Sequence, residues 1–313
     1  MHKGFRFILT GFIVISFGVI IMIVGLAHDG QNNLGWHNGH FEVSQIKSVH
    51  HKVKAVNKVD VETANVPVTV QTGNQKKIEI NGRITNPKFL HVTRNGKQLK
   101  VHYVPNQEKG YEVGFGKHEP EKLIISLPKD KKLSEYRQSS MYGAMNIADL
   151  HAKRGAITAT AADIQMKDAQ LQNLSVAAHD AKISLNNLQA SQTTMNSSNS
   201  QVNTNSSNLG RLMLSADGSR TTLQQTTVAA SAIQVNKGNV KLVDSQLTGH
   251  NIMTIMDGSL KASGLADIGL QMQASAGRVK VDGTNYGNNY LNDDQMAANQ
   301  FNVDVSDGNI TIK

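Results

Sequence analysis

The chain of 313 residues contains no cysteine. Disulfides and thiolate chemistry, whether nucleophile or metal ligand, are therefore closed to it. Proline is scarce and confined. The five prolines are Pro67, Pro87, Pro105, Pro120 and Pro128, and none follows between Lys129 and Lys313. Each proline removes a backbone donor, so a long proline-free stretch is what uninterrupted β ladders require. Aromatic residues are 5% of the chain, with a single tryptophan, Trp36. That is low for a compact globule, but a thin coil with one wet face tolerates it. Motifs for nucleotide or acyl chemistry are missing too: there is no P-loop, no dinucleotide glycine fingerprint and no Gly-x-Ser-x-Gly elbow. The twelve histidines are scattered, and none pairs at i, i+4 with a glutamate on a helix.

Negative charge is short in one region only. Residues 41–137 carry 18 Lys and Arg against 10 Asp and Glu, whereas residues 138–313 carry 12 against 13. The formal net charge of +8 thus belongs to the first of these segments. Such a field attracts anionic partners over distances that salt shortens. Candidate contacts are Lys52, Lys54, Lys76, Lys77, Lys129, Lys131 and Lys132. The plain alternative is a basic surface that serves solubility alone. Nucleic acid is a poor fit, because the basic segment lacks interleaved aromatics.

One long apolar run is present. Residues 7–27 (FILTGFIVISFGVIIMIVGLA) hold no charge, with Lys3 and Arg6 before them and Asp29 after. As a helix at about 1.5 Å per residue this run spans about 31 Å, enough for a hydrocarbon core. The flanking charges predict an N-terminus in the cytoplasm and the remainder outside. Gly25-Leu26-Ala27 also fits a signal-peptidase site, so cleavage is the alternative; either route carries the rest across the membrane. Residues 28–40 (HDGQNNLGWHNGH) read as a polar, glycine-rich stalk. His28, His37 and His40 lie there without carboxylates at ligand spacing, so no metal site is expected of them.

Beyond the stalk, strands dominate. Val59-Asp-Val61, residues 66–70 and Ile78-Glu-Ile80 alternate with period two, and Asn95-Gly96 and Thr72-Gly73 mark turns. Further on, Gly218, Gly238, Gly258 and Gly277 recur in related contexts at a nearly constant interval of about 20. Self-similarity at this period is the signature of a stacked, one-dimensional fold. Short bursts such as Ile183 and Leu185, or Val240 and Leu242, supply inward stripes that stacking joins into one core. The Leu-x-x-Leu-x-Leu consensus of leucine-rich repeats is missing, and helical repeats need longer units. The glycines suit corners that need positive φ or close backbone approach. Residues 193–208 (TTMNSSNSQVNTNSSN) look like low complexity but read as an ordered coil within the repeat. Residues 282–299 break the period and read as an exposed loop before the final coil; Asp293-Asp294 within them is too little for calcium.

The expected fold is therefore all-β: a parallel β-solenoid (β-helix) of about 20 residues per coil, preceded by one N-terminal transmembrane helix. The expected organisation is a cytoplasmic tail (1–6), a transmembrane helix (7–27), a stalk (28–40), a basic membrane-proximal β region (41–137) and solenoid repeats (138–313).

The basic β region, the strand Leu123-Ile-Ile-Ser-Leu-Pro128 and the coils with glycine-centred turns resemble the bacterial "putative adhesin" domain of unknown function, of the LiaG-like type. In place of that family's usual Ser-Gly-Asp turn stand Ser140-Met-Tyr-Gly143 and Arg154-Gly155-Ala156. The resemblance implies a one-helix membrane protein with an extracytoplasmic β-solenoid, and adhesion or another cell-envelope role. It implies no catalytic residue and no cofactor.

The resulting expectation is a non-enzymatic, extracytoplasmic cell-envelope interaction module in the cell membrane. Its partners would be membrane lipid at the helix, and an anionic cell-wall polymer or an envelope protein at the β region. Two alternatives stand beside it. A carbohydrate-active β-helix enzyme would need a carboxylate-lined face; Asp217 and Asp257, two coils apart with Lys237 between them, are the nearest arrangement, although turn-forming residues give the same pattern. An accessory of an envelope-stress sensing system rests on the family analogy alone.

Overall fold

A computed structural model describes residues 2–27, 33–37, 40–44, 46–54, 56–105, 112–113, 120–265, 267–292 and 297–313. A helix runs His2–Ala27. Its side chains are described only at 11–21, 23 and 24, and among the described residues no helix is long and apolar enough to cross a membrane. A small antiparallel sheet joins Asn33–His37 to His40–Ser44 and to Glu112–Val113.

The remainder is a stack of coils shared between two facing sheets. A regular coil gives a long strand to one sheet and a strand about half as long to the other. Gln170–His179 and Lys182–Asn186 form one such coil. Its inward residues are Leu171, Leu174, Val176, Ala178, Ala181, Ile183, Leu185 and Leu188, all buried. Alternation breaks at Gln172-Asn173, where two neighbours both face solvent. One coil's inward side chains cannot fold alone; the parallel neighbours complete the core. Leu174 lies beside Thr193 and Thr193 beside Leu212, while Ile183 lies beside Val202 and Val202 beside Thr221.

The repeat is 19, the sequence separation of the hydrogen-bonded pairs Ala181–Ser200 and Leu188–Ser207. The ladders keep the same period: His151 pairs with Gln170, Gln170 with Gln189, and Gln189 with Asn208. Gly218 and Gly238 are 20 apart because they hold different places in the coil, Gly218 lying level with Lys237; the 20 from Gly238 to Gly258 has a local cause. Thr227 pairs with Gln246 at 19, but Ala232 pairs with Ile252 at 20, so one residue is added near Gly249.

Corners also differ from expectation. Tyr142, Ala161, Asp180, Asn199, Gly218 and Lys237 form one left-handed column with φ between 48° and 59°; Asp149, Asp168, Asn187, Ser206, Gln225 and Asp244 form a second with φ between 46° and 53°. This conformation costs a non-glycine residue about 1–2 kcal/mol. The corner N–H groups from Tyr142 to Gly218 and from Asp149 to Asp244 are nonetheless satisfied by the next coil, as in Asp180 N donating to Ser198 O at 3.1 Å and Asn199 N to Asp217 O at 2.9 Å. Gly238 serves closeness rather than φ, and Gly258 serves both, with φ at 154°. A Cβ on Gly238 would stand 2.1 Å from Ser219 O, and one on Gly258 would stand 1.6 Å from Gly238 O.

The polar run 193–208 is an ordered coil, as its alternation predicts. Thr193, Ser197 and Thr204 point inward and are buried. Thr193 Oγ1 donates to Leu209 O at 2.9 Å, and the Thr204 and Thr226 hydroxyls meet at 2.9 Å. Ser200 and Ser219 bridge coils, receiving Ala181 N and Ser200 N at 3.1 Å each.

The boundary drawn at 137 is not a structural one. Lys58–Ala64 and Val68–Gly73 already form a coil, parallel to Lys132–Met141 and Met145–Ala148. Antiparallel strands finish this end: Leu90–Asn95 pairs with Gln98–Tyr103 through the expected Asn95-Gly96 turn, and Ile78–Ile84 lies between Lys122–Pro128 and Lys47–Val53. The far end departs more. Within 282–299, Thr284–Asn285 and Asn289–Leu291 run antiparallel to Val279–Val281 and Gly269–Ala276. The final coil is not stacked last: Gln300–Asp307 lies between His250–Ser263 and Gly269–Ala276.

Candidate functional site

Parallel strands in register set their outward residues in rows. On the outer face of the long-strand sheet, Lys58 faces Glu135, Glu135 faces Arg154, and Asn173, Gln192 and Arg211 continue the row. The adjoining row runs Asp60, Arg137, Ala156, Ser175 and Thr194. Ala156 and Ser175 are short where their neighbours are long, which leaves an open groove of about 760 Å³ between charged and amide-bearing walls.

Glu135 organises the charged end. Its Oε2 lies 3.3 Å from Lys58 Nζ and 3.6 Å from Arg154 Nη2, and its Oε1 receives Arg137 Nε at 2.6 Å. Its side chain is 12% exposed, while those of Lys58, Arg137 and Arg154 are 48%, 62% and 66% exposed. Burial pushes the Glu135 carboxyl up, but hydrogen bonds from Lys58 and Arg137 and their positive charge outweigh it and hold it below the usual carboxylate range. One ionised carboxylate thus aligns three cations whose outer faces remain wet. Past them the walls turn neutral, with Asn173 Nδ2 donating to Gln192 Oε1 at 3.4 Å. Such a surface suits an extended, polar, negatively charged chain.

The seven lysines named from the sequence are spread over more than one surface. Lys52 lies on an edge strand with its Nζ 3.2 Å from Glu79 Oε1. Val53 pairs with Ile78, so Lys54 and Lys77 follow on opposite sides of the same ladder, with Lys76 next to Lys77. Lys129 joins this corner through its N–H to Gly73 O at 2.9 Å. Lys131 is tied to Asn57 Oδ1 at 3.2 Å. Lys132 lines a separate depression of about 540 Å³ with His151 and Lys153. None of the seven lines the groove. The sequence reading missed the groove cations, although a signal existed: Glu135, Arg154, Asn173, Gln192 and Arg211 are spaced at 19.

Asp217 and Asp257 do not share a row. Asp217 faces Asn236, whose Nδ2 donates to it at 2.8 Å; Val235 pairs with Ile255, which sets Asp257 level with Lys237. Among the described residues, no group of three or more His, Asp or Glu could hold a metal ion. His28, Asp293, Asp294 and the side chains of His37 and His40 lie outside the described residues.

An all-β stack of parallel coils in register defines a β-solenoid class of domain. Residues 56–313 match the family model "Toastrack DUF4097", and the chain belongs to that family. This agrees with the adhesin-like resemblance read from the strand 123–128 and the coils. A structure of a "putative adhesin" from Parabacteroides distasonis ATCC 8503 has 10% identity and a TM-score of 0.52, covering 86% of this chain and 97% of that one. A "putative adhesin" from Parabacteroides merdae ATCC 43184 has 12% identity and a TM-score of 0.50, covering 86% and 96%. At such identity the likeness is one of fold. No curated protein matches the chain.

Proposed function

We propose that the chain is a non-enzymatic interaction module of the cell envelope, held at the membrane by its N-terminal helix with the solenoid outside the cell. The groove along the outer face of the long-strand sheet takes an extended anionic polymer, of the acidic kind found in cell walls. The observation that carries this reading is the Glu135 cluster: three well-exposed cations held by one largely buried carboxylate at the mouth of an open groove. Asn173, Ser175, Gln192 and Thr194 extend it with uncharged donors and acceptors suited to sugar or phosphate oxygens. The lysine corner at Lys54, Lys76, Lys77 and Lys129 adds long-range attraction. For the tether, the support is the uncharged run 7–27 within the helix His2–Ala27, whose described Phe12, Ile13, Val14, Ile15 and Phe17 side chains are all exposed.

The test is a titration of the chain with polygalacturonate and with polyphosphate at several salt concentrations. Binding should weaken steadily with salt, and the triple variant K58A/R137A/R154A should lose it. Binding that ignored both salt and these three residues would refute the reading.

A further inference from the structure

The last strands of the chain sit inside the stack. Gln300 faces His250 on one side and Gly269 on the other. The same offsets recur at Asn309, which bonds Ser259 at a separation of 50 and Arg278 at 31. These differ by 19, the repeat of the solenoid. The strands flanking the insertion are therefore already in ordinary register with each other. Phe301, Val303 and Val305 lie against Asn251, Met253 and Ile255 below and against Leu270, Met272 and Ala274 above. On the short-strand sheet Ile310 lies between Leu260 and Val279, and Ile312 between Ala262 and Val281. The close-approach glycines run through the same point. A Cβ on Gly308 would stand 1.6 Å from Gly258 O, and one on Gly277 would stand 1.7 Å from Gly308 O.

We propose that residues 300–313 are an exchangeable insertion, and that their slot also accepts the same segment from a second copy of this chain. Two features make exchange accessible. Withdrawal of the segment need not leave two bare sheet edges, because His250–Ser263 and Gly269–Ala276 can close on each other at the standing period of 19. The segment is also joined to the stack by residues 282–299, a connection that reaches about 60 Å once the pairings of Thr284–Asn285 and Asn289–Leu291 are released. An exchanged pair repeats each contact of residues 300–313 and differs only in that connection, so protein concentration selects between them. Asn251 ties the segment's start to the coil below: its Oδ1 receives Ser231 N at 3.0 Å, and its Nδ2 donates to Gln300 O at 3.3 Å.

With no native cysteine, introduced ones report without background. Thr254 and Asp304 pair across adjacent strands, outward, at a spacing of about 4.8 Å that a disulfide spans. Full-length T254C and D304C chains, mixed and mildly oxidised, should give a linked heterodimer that grows with concentration. The double variant T254C/D304C, oxidised first when dilute, should close within one chain and lose the dimer. A second variant, T254C/Q273C, reports withdrawal directly. Its two sites stand about 9.6 Å apart while the insertion is in place, too far for a bond that slot closure would allow. Slow oxidation of that pair is expected. The proposal is overturned if T254C and D304C never cross-link between chains at any concentration, if T254C/D304C fails to close internally, or if T254C/Q273C stays reduced.

Discussion

Glu135 and Arg154 lie one solenoid repeat apart in the chain and face each other on adjacent parallel strands, Oε2 to Nη2 at 3.6 Å. The repeat itself therefore brings the charges together. Lys58 reaches the same carboxylate from the strand on the other side, although it lies far away in the sequence.

Replacing the carboxylate should separate its two effects. Glu135→Gln raises the groove charge by one, so affinity for polyphosphate should rise and its salt dependence should steepen, read by titration at two ionic strengths. Stability should respond to acid in a defined direction. The folded carboxyl lies below its ordinary value, so its contribution is complete above about pH 4.3 and fades as pH falls through the lower folded value. Denaturant midpoints between pH 5 and pH 2 should therefore fall more for the parent chain than for E135Q.

The groove row shows how far sequence reading reached. The solenoid, its inward stripes and the order of the 193–208 coil all follow from alternation, which is local. The row Glu135, Arg154, Asn173 and Gln192 was also present in the sequence, but only at a period of 19. The glycine spacings pointed to 20 because Gly218 lies level with Lys237, one residue before Gly238, and because Gly238 and Gly258 straddle the added residue near Gly249. Charge density, which singles out the lysines, does not say which strand faces a ligand.

Thr221 is fully buried and its Oγ1 has no partner, between Val202 and Val240 in the same inward file. Thr221→Val keeps the shape and removes the unpaired hydroxyl. It should stabilise the fold by about 1–2 kcal/mol, read from urea midpoints.

Tyr136 and Gln138 make a buried polar pair, with the Tyr136 hydroxyl donating to Gln138 Oε1 and Gln138 Nε2 left without a partner. Burial pushes the Tyr136 phenol far up, so it stays neutral. Tyr136→Phe strands the amide oxygen and should cost about 1–3 kcal/mol, whereas Y136F/Q138L should recover most of that loss. A double-mutant cycle from thermal unfolding checks the coupling.

Two glycines should respond unequally to alanine. At Gly96, φ is 56° and a Cβ meets nothing within 4 Å, so Gly96→Ala should cost about 1 kcal/mol of backbone strain. At Gly258 the added Cβ would strike the Gly238 carbonyl, which cannot swing aside. Gly258→Ala should cost about 3 kcal/mol or more. Thermal melts of the two variants side by side test the difference.

By itself the sequence determined an all-β stack without disulfides, because alternation, missing proline and a repeat near 20 are properties of neighbouring residues. It also placed the charge surplus before residue 138. Only the tertiary structure decided which strand lies beside which. The offset of 31 between Gly269–Ala276 and the final coil is equally satisfied by stacking that coil last or slipping it between two others, and the structure slips it in, with Val303 between Met253 and Met272. The groove was decided there too, since its rows exist only where separate coils lie side by side.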